Sequence, residues 1–119
     1  MLESHYAPKA KVRLMDAKAL QTALDMLGDD VDRKVDANQG AVNGGKPVIA
    51  TWSRAILKSR SSTLLRRRMP DDAAATAHQL FAVLREFDAQ GVKLIWVETP
   101  PETPEWDGVR DRLQRAAAG

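Results

Sequence analysis

The chain has 119 residues, 44% of them hydrophobic and 29% charged, which fits one soluble globular domain with a single core. Eighteen Lys and Arg against sixteen Asp and Glu leave a net charge of +2, so a pI near 9.2 is weak support for a nucleic-acid partner. With no cysteine, disulfides, Cys-ligated zinc, iron–sulfur clusters and thiol catalysis are excluded.

Residues 1–10 read as an extended lead-in, because Pro8 biases Ala7 away from helix. The start has neither the basic nor the apolar region of a signal peptide. Lys11 to Met15 alternates polar and apolar, the period of a half-buried strand. Asp16 then caps a helix whose apolar positions are Ala19, Leu20, Ala23, Leu24 and Leu27, and Gly28 ends it. Residues 29–46, with Asn38-Gln39-Gly40 and Asn43-Gly44-Gly45, predict a long loop. Pro47 to Thr51 predicts a second strand with proline as its first residue.

One or two helical turns are expected in residues 53–60, and a third strand around Thr63-Leu64-Leu65 within Ser62 to Met69. The clearest helix covers residues 71–90. Asp71 or Asp72 caps it, Ala77, Leu80, Phe81, Leu84 and Phe87 form its buried stripe, and Gly91 stops it. The longest apolar run, Leu80 to Leu84, is far short of the ~20 residues of a membrane span, so a soluble, cytoplasmic chain with no membrane partner is expected. Val92 to Val97 is nearly all apolar, as in a strand covered on both faces. Thr103-Pro104 opens a last helix with Trp106, Val109, Leu113 and Ala116 or Ala117 inward. Strands separated by helices favour parallel pairing. The fold class expected is α/β, a three-layer Rossmann-like domain with a mostly parallel sheet of four or five strands.

Gly44-Gly45-Lys46 lacks the earlier glycine and the following Ser or Thr of a phosphate loop, and it precedes a strand; a plain turn is the better reading. No dinucleotide fingerprint occurs. The two histidines, His5 and His78, form no metal-ligand pair, and Ser53, Ser61 and Ser62 lie on no nucleophile elbow, so neither a metal site nor a catalytic residue is assigned.

Arg54, Lys58, Arg60, Arg66, Arg67 and Arg68 lie in an acid-free stretch. Contact with RNA or nucleotide phosphate is one reading; without interleaved aromatics a solvated face or interface rim is the better one. Glu98, Glu102, Glu105 and Asp107 gather where strands of an α/β sheet present ligands, and could bind a cation or a nucleobase; acids at a helix start also answer its dipole. Trp52 and Trp106 are candidates for an interface, including a homodimer. An amphipathic tyrosine in the lead-in, Tyr6, is suited to stack on or bond to something outside its own domain.

Met1-Leu2-Glu3-Ser4-His5-Tyr6-Ala7-Pro8-Lys9 resembles the interdomain linker of two-domain L-threonylcarbamoyladenylate synthases, the long form of the YrdC-like family, which reads Pro-Gly-Met, a short gap, then His-Tyr-x-Pro. Leu80 to Asp88 is similar to that family's Leu-Phe/Tyr-x-x-Leu-Arg-x-x-Asp helix, Gly91 to Glu98 to its next strand, and Asp111-Arg112-Leu113-Gln114-Arg115-Ala116-Ala117 to its closing Asn-Arg-Leu-x-Lys-Ala-Ala. Residues 16–70 carry no diagnostic motif. Asp111 replaces the usual Asn, and Pro100 to Pro104 replaces a Gly-rich turn.

The resemblance implies a linker over residues 1–10 followed by a Rossmann-like accessory domain over 11–119. Family members make threonylcarbamoyl-AMP for tRNA modification from ATP, L-threonine and bicarbonate, with Mg2+, on a YrdC-like catalytic domain normally in the same chain. On this reading the chain binds no cofactor by itself, is inactive alone, and meets the substrates only through that domain and other tRNA-pathway enzymes only indirectly. Tyr6 would gate the nucleotide site, positioned by Ser4, His5 and Pro8. The alternative is a free-standing nucleotide- or RNA-binding α/β module.

Overall fold

The computed structural model describes residues 8–27, 48–59 and 64–118. Ser4, His5, Tyr6, Arg60, Gly28 and the loop expected over 29–46 lie outside the described residues. In chain order the elements are β1 (Lys11–Met15), α1 (Ala17–Leu27), β2 (Ile49–Ser53), β3 (Leu64–Arg68), α2 (Ala73–Ala89), β4 (Leu94–Glu98), a 3-10 turn (Pro104–Trp106) and α3 (Asp107–Ala118). The strands form one sheet of order β1-β4-β2-β3, every pair parallel. The α/β class holds, with four strands.

Period-2 alternation assigns each strand residue to one of two cores. Val12, Leu14, Ala50, Trp52, Leu65, Ile95 and Val97 face α2 and α3, where they meet Leu80, Leu84, Phe87, Trp106, Val109 and Leu113. Met15, Ile49, Leu64, Leu94 and Trp96 face α1, where they meet Leu20 and Leu24. Central β2 and β4 are therefore almost wholly buried, whereas edge β1 and β3 carry the charges Lys11, Arg13 and Arg66 to Arg68. Charge on edge strands keeps them from pairing with another chain. The two covered faces give the body its own core, the condition for folding as an independent unit.

The caps form as their residue types require. Asp16 Oδ1 accepts from Ala19 N–H at 2.6 Å, and Asp72 Oδ2 accepts from Ala75 N–H at 2.8 Å. Gly91 follows α2 at φ +80°, a left-handed conformation that costs a residue with Cβ about 1–2 kcal/mol. No atom lies within 4 Å of a Cβ built there, so a Gly91→Ala variant should lose about 1 kcal/mol through backbone strain alone; equilibrium urea unfolding checks this.

Four expectations change. Residues 54–59 hold no helical turn. Gln21 takes the place of helical bonding: its Oε1 accepts from Lys58 N–H at 2.8 Å and its Nε2 donates to the Lys58 carbonyl at 2.9 Å, tying the β2–β3 crossover to α1. Strands β2 and β4 begin at Ile49 and Leu94, two residues later than their apolar runs suggested, because pairing with neighbours and not hydrophobicity sets strand ends. Trp52 is 0% and Trp106 is 4% exposed, so both belong to the core and neither offers an interface. Thr103 precedes the last helix but makes no side-chain cap; the chain enters through the 3-10 turn at Pro104.

Candidate functional site

Two places bring functional groups together. The first is the start of the body, where the lead-in meets α2. Asp88, in the last turn of that helix, accepts from Lys9 N–H through Oδ2 at 3.0 Å and from Ala10 N–H through Oδ1 at 3.2 Å. One carboxylate thus holds two consecutive backbone amides. Charge-assisted bonds of this kind are the stronger class, and a paired grip fixes direction as well as position. Ala10 is buried and Pro8 half-buried beside it. The sequence motif over Leu80 to Asp88 contained this residue, but nothing in its spacing said that its partner lay 79 residues earlier.

The second place is the carboxyl end of the two central strands. Chain leaving β2 passes to β3 on one side, while chain leaving β4 passes to α3, which packs over β1 on the other. Such a divergence is where open α/β sheets keep a ligand crevice. Here the crevice is filled from within. Glu98 Oε1 accepts from Ser53 Oγ and from Arg54 N–H, both at 2.8 Å, and Oε2 pairs with Arg54 Nη2 at 2.6 Å. Arg54 lies over the Trp106 ring, 5.8 Å from its centre, within cation–π range. Burial by itself pushes the Glu98 carboxyl up. The hydrogen bonds from Ser53, the Arg54 side chain and the Arg54 backbone, with the Arg54 charge, outweigh it and hold the carboxyl below its ordinary value.

The acids expected to cluster do not. Glu98 is bound to Arg54, Glu102 and Glu105 are exposed, and Asp107 pairs with Arg110. Among the described residues no group of three or more His, Asp or Glu could hold a metal ion. His78 is on the surface of α2. No helix among the described residues is long and apolar enough to cross a membrane.

The basic run is divided by the sheet. Arg67 points to the α2 face and pairs with Glu86. Arg66 and Arg68 share the opposite face, in register with Thr51 and Ser53. Lys58 is exposed, with its backbone held by Gln21.

Comparison with known proteins fits this arrangement. The model of the family described as threonylcarbamoyl-AMP synthase, C-terminal domain, matches residues 1–118. The chain belongs to that family. A solved structure of P. abyssi Sua5, a double variant with a neighbouring histidine and tyrosine replaced by alanine, superposes with a TM-score of 0.57 at 23% identity, over 93% of this chain and 28% of that one. This likeness supports the fold; the chain spans less than a third of that protein's length. No curated protein matches.

As a threonylcarbamoyl-AMP synthase C-terminal domain, the chain places its most specific motif, the lead-in, directly before the Asp88 grip. Asp88, which closes the Leu80 to Asp88 segment, therefore meets the backbone at the end of the lead-in. Sequence reading found both segments but not the bond between them.

Proposed function

We propose that this chain is the accessory and regulatory domain of a threonylcarbamoyl-AMP synthase, and that its lead-in is a strap gating the ATP and threonylcarbamoyl-AMP site of a YrdC-like catalytic domain. The observation that carries the reading is the Asp88 carboxylate on the Lys9 and Ala10 amides. A strap can gate only if one end is fixed. Tyr6 stands three residues before Lys9, and an extended chain spans at most ~3.6 Å per residue, so Tyr6 stays within about 11 Å of the anchor. Where the body docks therefore decides where the ring can reach.

Pro8 stiffens the strap by fixing φ, and the ring of Tyr6 offers both an apolar face and a hydroxyl to a nucleotide. Covering an adenylate-forming pocket would keep water from a hydrolysable product. The Sua5 variant among the solved structures replaces a neighbouring His and Tyr; His5-Tyr6 is the one such pair in this sequence. ATP, with Mg2+, L-threonine and bicarbonate would reach the protein through the catalytic domain, in the cytoplasm, and tRNA only downstream.

The test joins this chain to a YrdC-like catalytic domain and follows pyrophosphate release from ATP, L-threonine and bicarbonate. The 119-residue chain alone should release none. Tyr6→Ala in the joined protein should lower kcat/KM for ATP about tenfold, the equivalent of ~1.4 kcal/mol of lost contact. Unchanged turnover and nucleotide affinity would overturn the gating role.

A further inference from the structure

Lys9, Lys11 and Arg13 form a row of positive charge along the edge of the sheet where the lead-in enters it. Ala10, Val12 and Leu14 alternate with them and pack into the core under α2 and α3. The period of two therefore sends the three basic residues to the opposite face, where all are exposed. Strand β1 has a neighbouring strand on one side only. Its register sets Lys11 beside Leu94 and Arg13 beside Trp96, so β4 offers them no carboxylate. Asp88 gives both oxygens to the Lys9 and Ala10 amides, Asp16 caps α1, and Asp25 accepts from Gln21. Among the described residues none of the three basic side chains has a hydrogen bond or an ion pair.

The other edge of the sheet is built differently. On β3, Arg66 and Arg68 donate to the Leu57 and Arg54 carbonyls, and Arg67 pairs with Glu86. Each of those arginines is tied into its own fold. Keeping an edge strand from pairing with another chain takes charge, but charge of either sign serves. Like charges at alternate strand positions, about 6.6 Å apart, repel one another. A row of one sign that nothing in the fold neutralises creates a field that attracts an anion from outside.

We infer that Lys9, Lys11 and Arg13 draw a polyphosphate anion, ATP on the strap reading on which this inference rests, towards the pocket that the strap covers. The row begins at the anchor. Tyr6 lies at most about 11 Å from Lys9, close to the ~10 Å over which charge acts at ~0.1 M salt. From Lys9 the row extends about 13 Å to Arg13. An approaching anion thus meets positive charge before it meets the ring. Steering of this kind speeds arrival and fades as salt rises.

The test measures kcat/KM for ATP against ionic strength in the joined protein, for wild type and for a triple variant, Lys9→Gln with Lys11→Gln and Arg13→Gln. At about 0.01 M, where the screening length is ~30 Å, the variant should be at least about fivefold lower. At about 1 M, where that length is ~3 Å, the two should coincide. KM for L-threonine, which carries no net charge, should not change at either salt. A charge-keeping variant, Lys9→Arg with Lys11→Arg and Arg13→Lys, should follow wild type, because the field needs only the charges. Equal kcat/KM at low salt overturns the inference. So does a loss that is the same at every salt, which would come from structure and not from charge. Tyr6→Ala judges the strap separately. A salt-dependent loss in the triple variant with Tyr6→Ala at full turnover keeps the row and removes the gate; a loss in Tyr6→Ala with none in the triple variant keeps the gate and removes the row.

Discussion

Glu98→Ala is expected to destabilise the fold by about 3 kcal/mol, at the lower end for breaking a buried ion pair by removing one partner. The low end applies because Arg54 keeps 28% of its side-chain exposure, against 8% for Glu98, so solvent can relieve part of the stranded charge. The loss has three parts: Ser53 Oγ–H, Arg54 N–H and Arg54 Nη2 all lose their acceptor together. Arg54 would still stack on Trp106, which limits the damage to the carboxyl ends of β2 and β4.

The same group makes a pH prediction. The Glu98 carboxyl is held below its ordinary value in the folded protein, so the unfolded chain binds its proton first as pH falls. The stabilisation is therefore fully present above the unfolded carboxylate range and is lost as pH drops through the lower, folded value. Urea unfolding of wild type and Glu98→Gln across acid pH should show the gap between them narrowing as pH falls. A gap that stays constant to low pH would show that the charge of Glu98 contributes nothing.

Asp88→Ala in the protein joined to its catalytic domain should lower kcat/KM for ATP about tenfold, since the strap would lose both fixed bonds, together worth at least ~1.4 kcal/mol of positioning. The body should lose only about 1–2 kcal/mol of stability, as Lys9 lies at the surface. Hydrogen exchange separates the possible failures. Lys9 and Ala10 amides should exchange faster in the variant while core amides on β2 and β4 do not. Unchanged exchange would mean that Asp88 does not anchor the strap in solution. Faster exchange with full turnover would mean that the anchor is real and the gate is not.

Where residues signalled through local pattern, the sequence was readable. The unbroken apolar stretch from Val92 foretold a strand covered on both faces, and β4 is central. Asp16, the Asp71-Asp72 pair and Gly91 foretold helix ends because each acts on backbone within a few residues, and the structure makes Asp72 the cap. Residues 54–59 misled because their short apolar run fits a helical turn, while the bonds that hold them come from Gln21 on another element. Trp52 misled because a tryptophan suits an interface and a core equally, and only the packing of α2, α3 and the sheet makes it core; for Trp106 the inward helical stripe was the right reading and the interface the wrong one.

The amino-acid order alone determined the layer architecture and the family, since periodicity, capping and short motifs are properties of neighbours in the chain. Only the tertiary structure decided what the charges do. Glu98 meets Arg54 across 44 residues and Asp88 meets Lys9 across 79, and the pleat of β3 sends Arg67 to Glu86 while placing Arg66 and Arg68 on the opposite face. Charge partners are chosen by distance in space, which the linear order of residues does not contain until the sheet has formed.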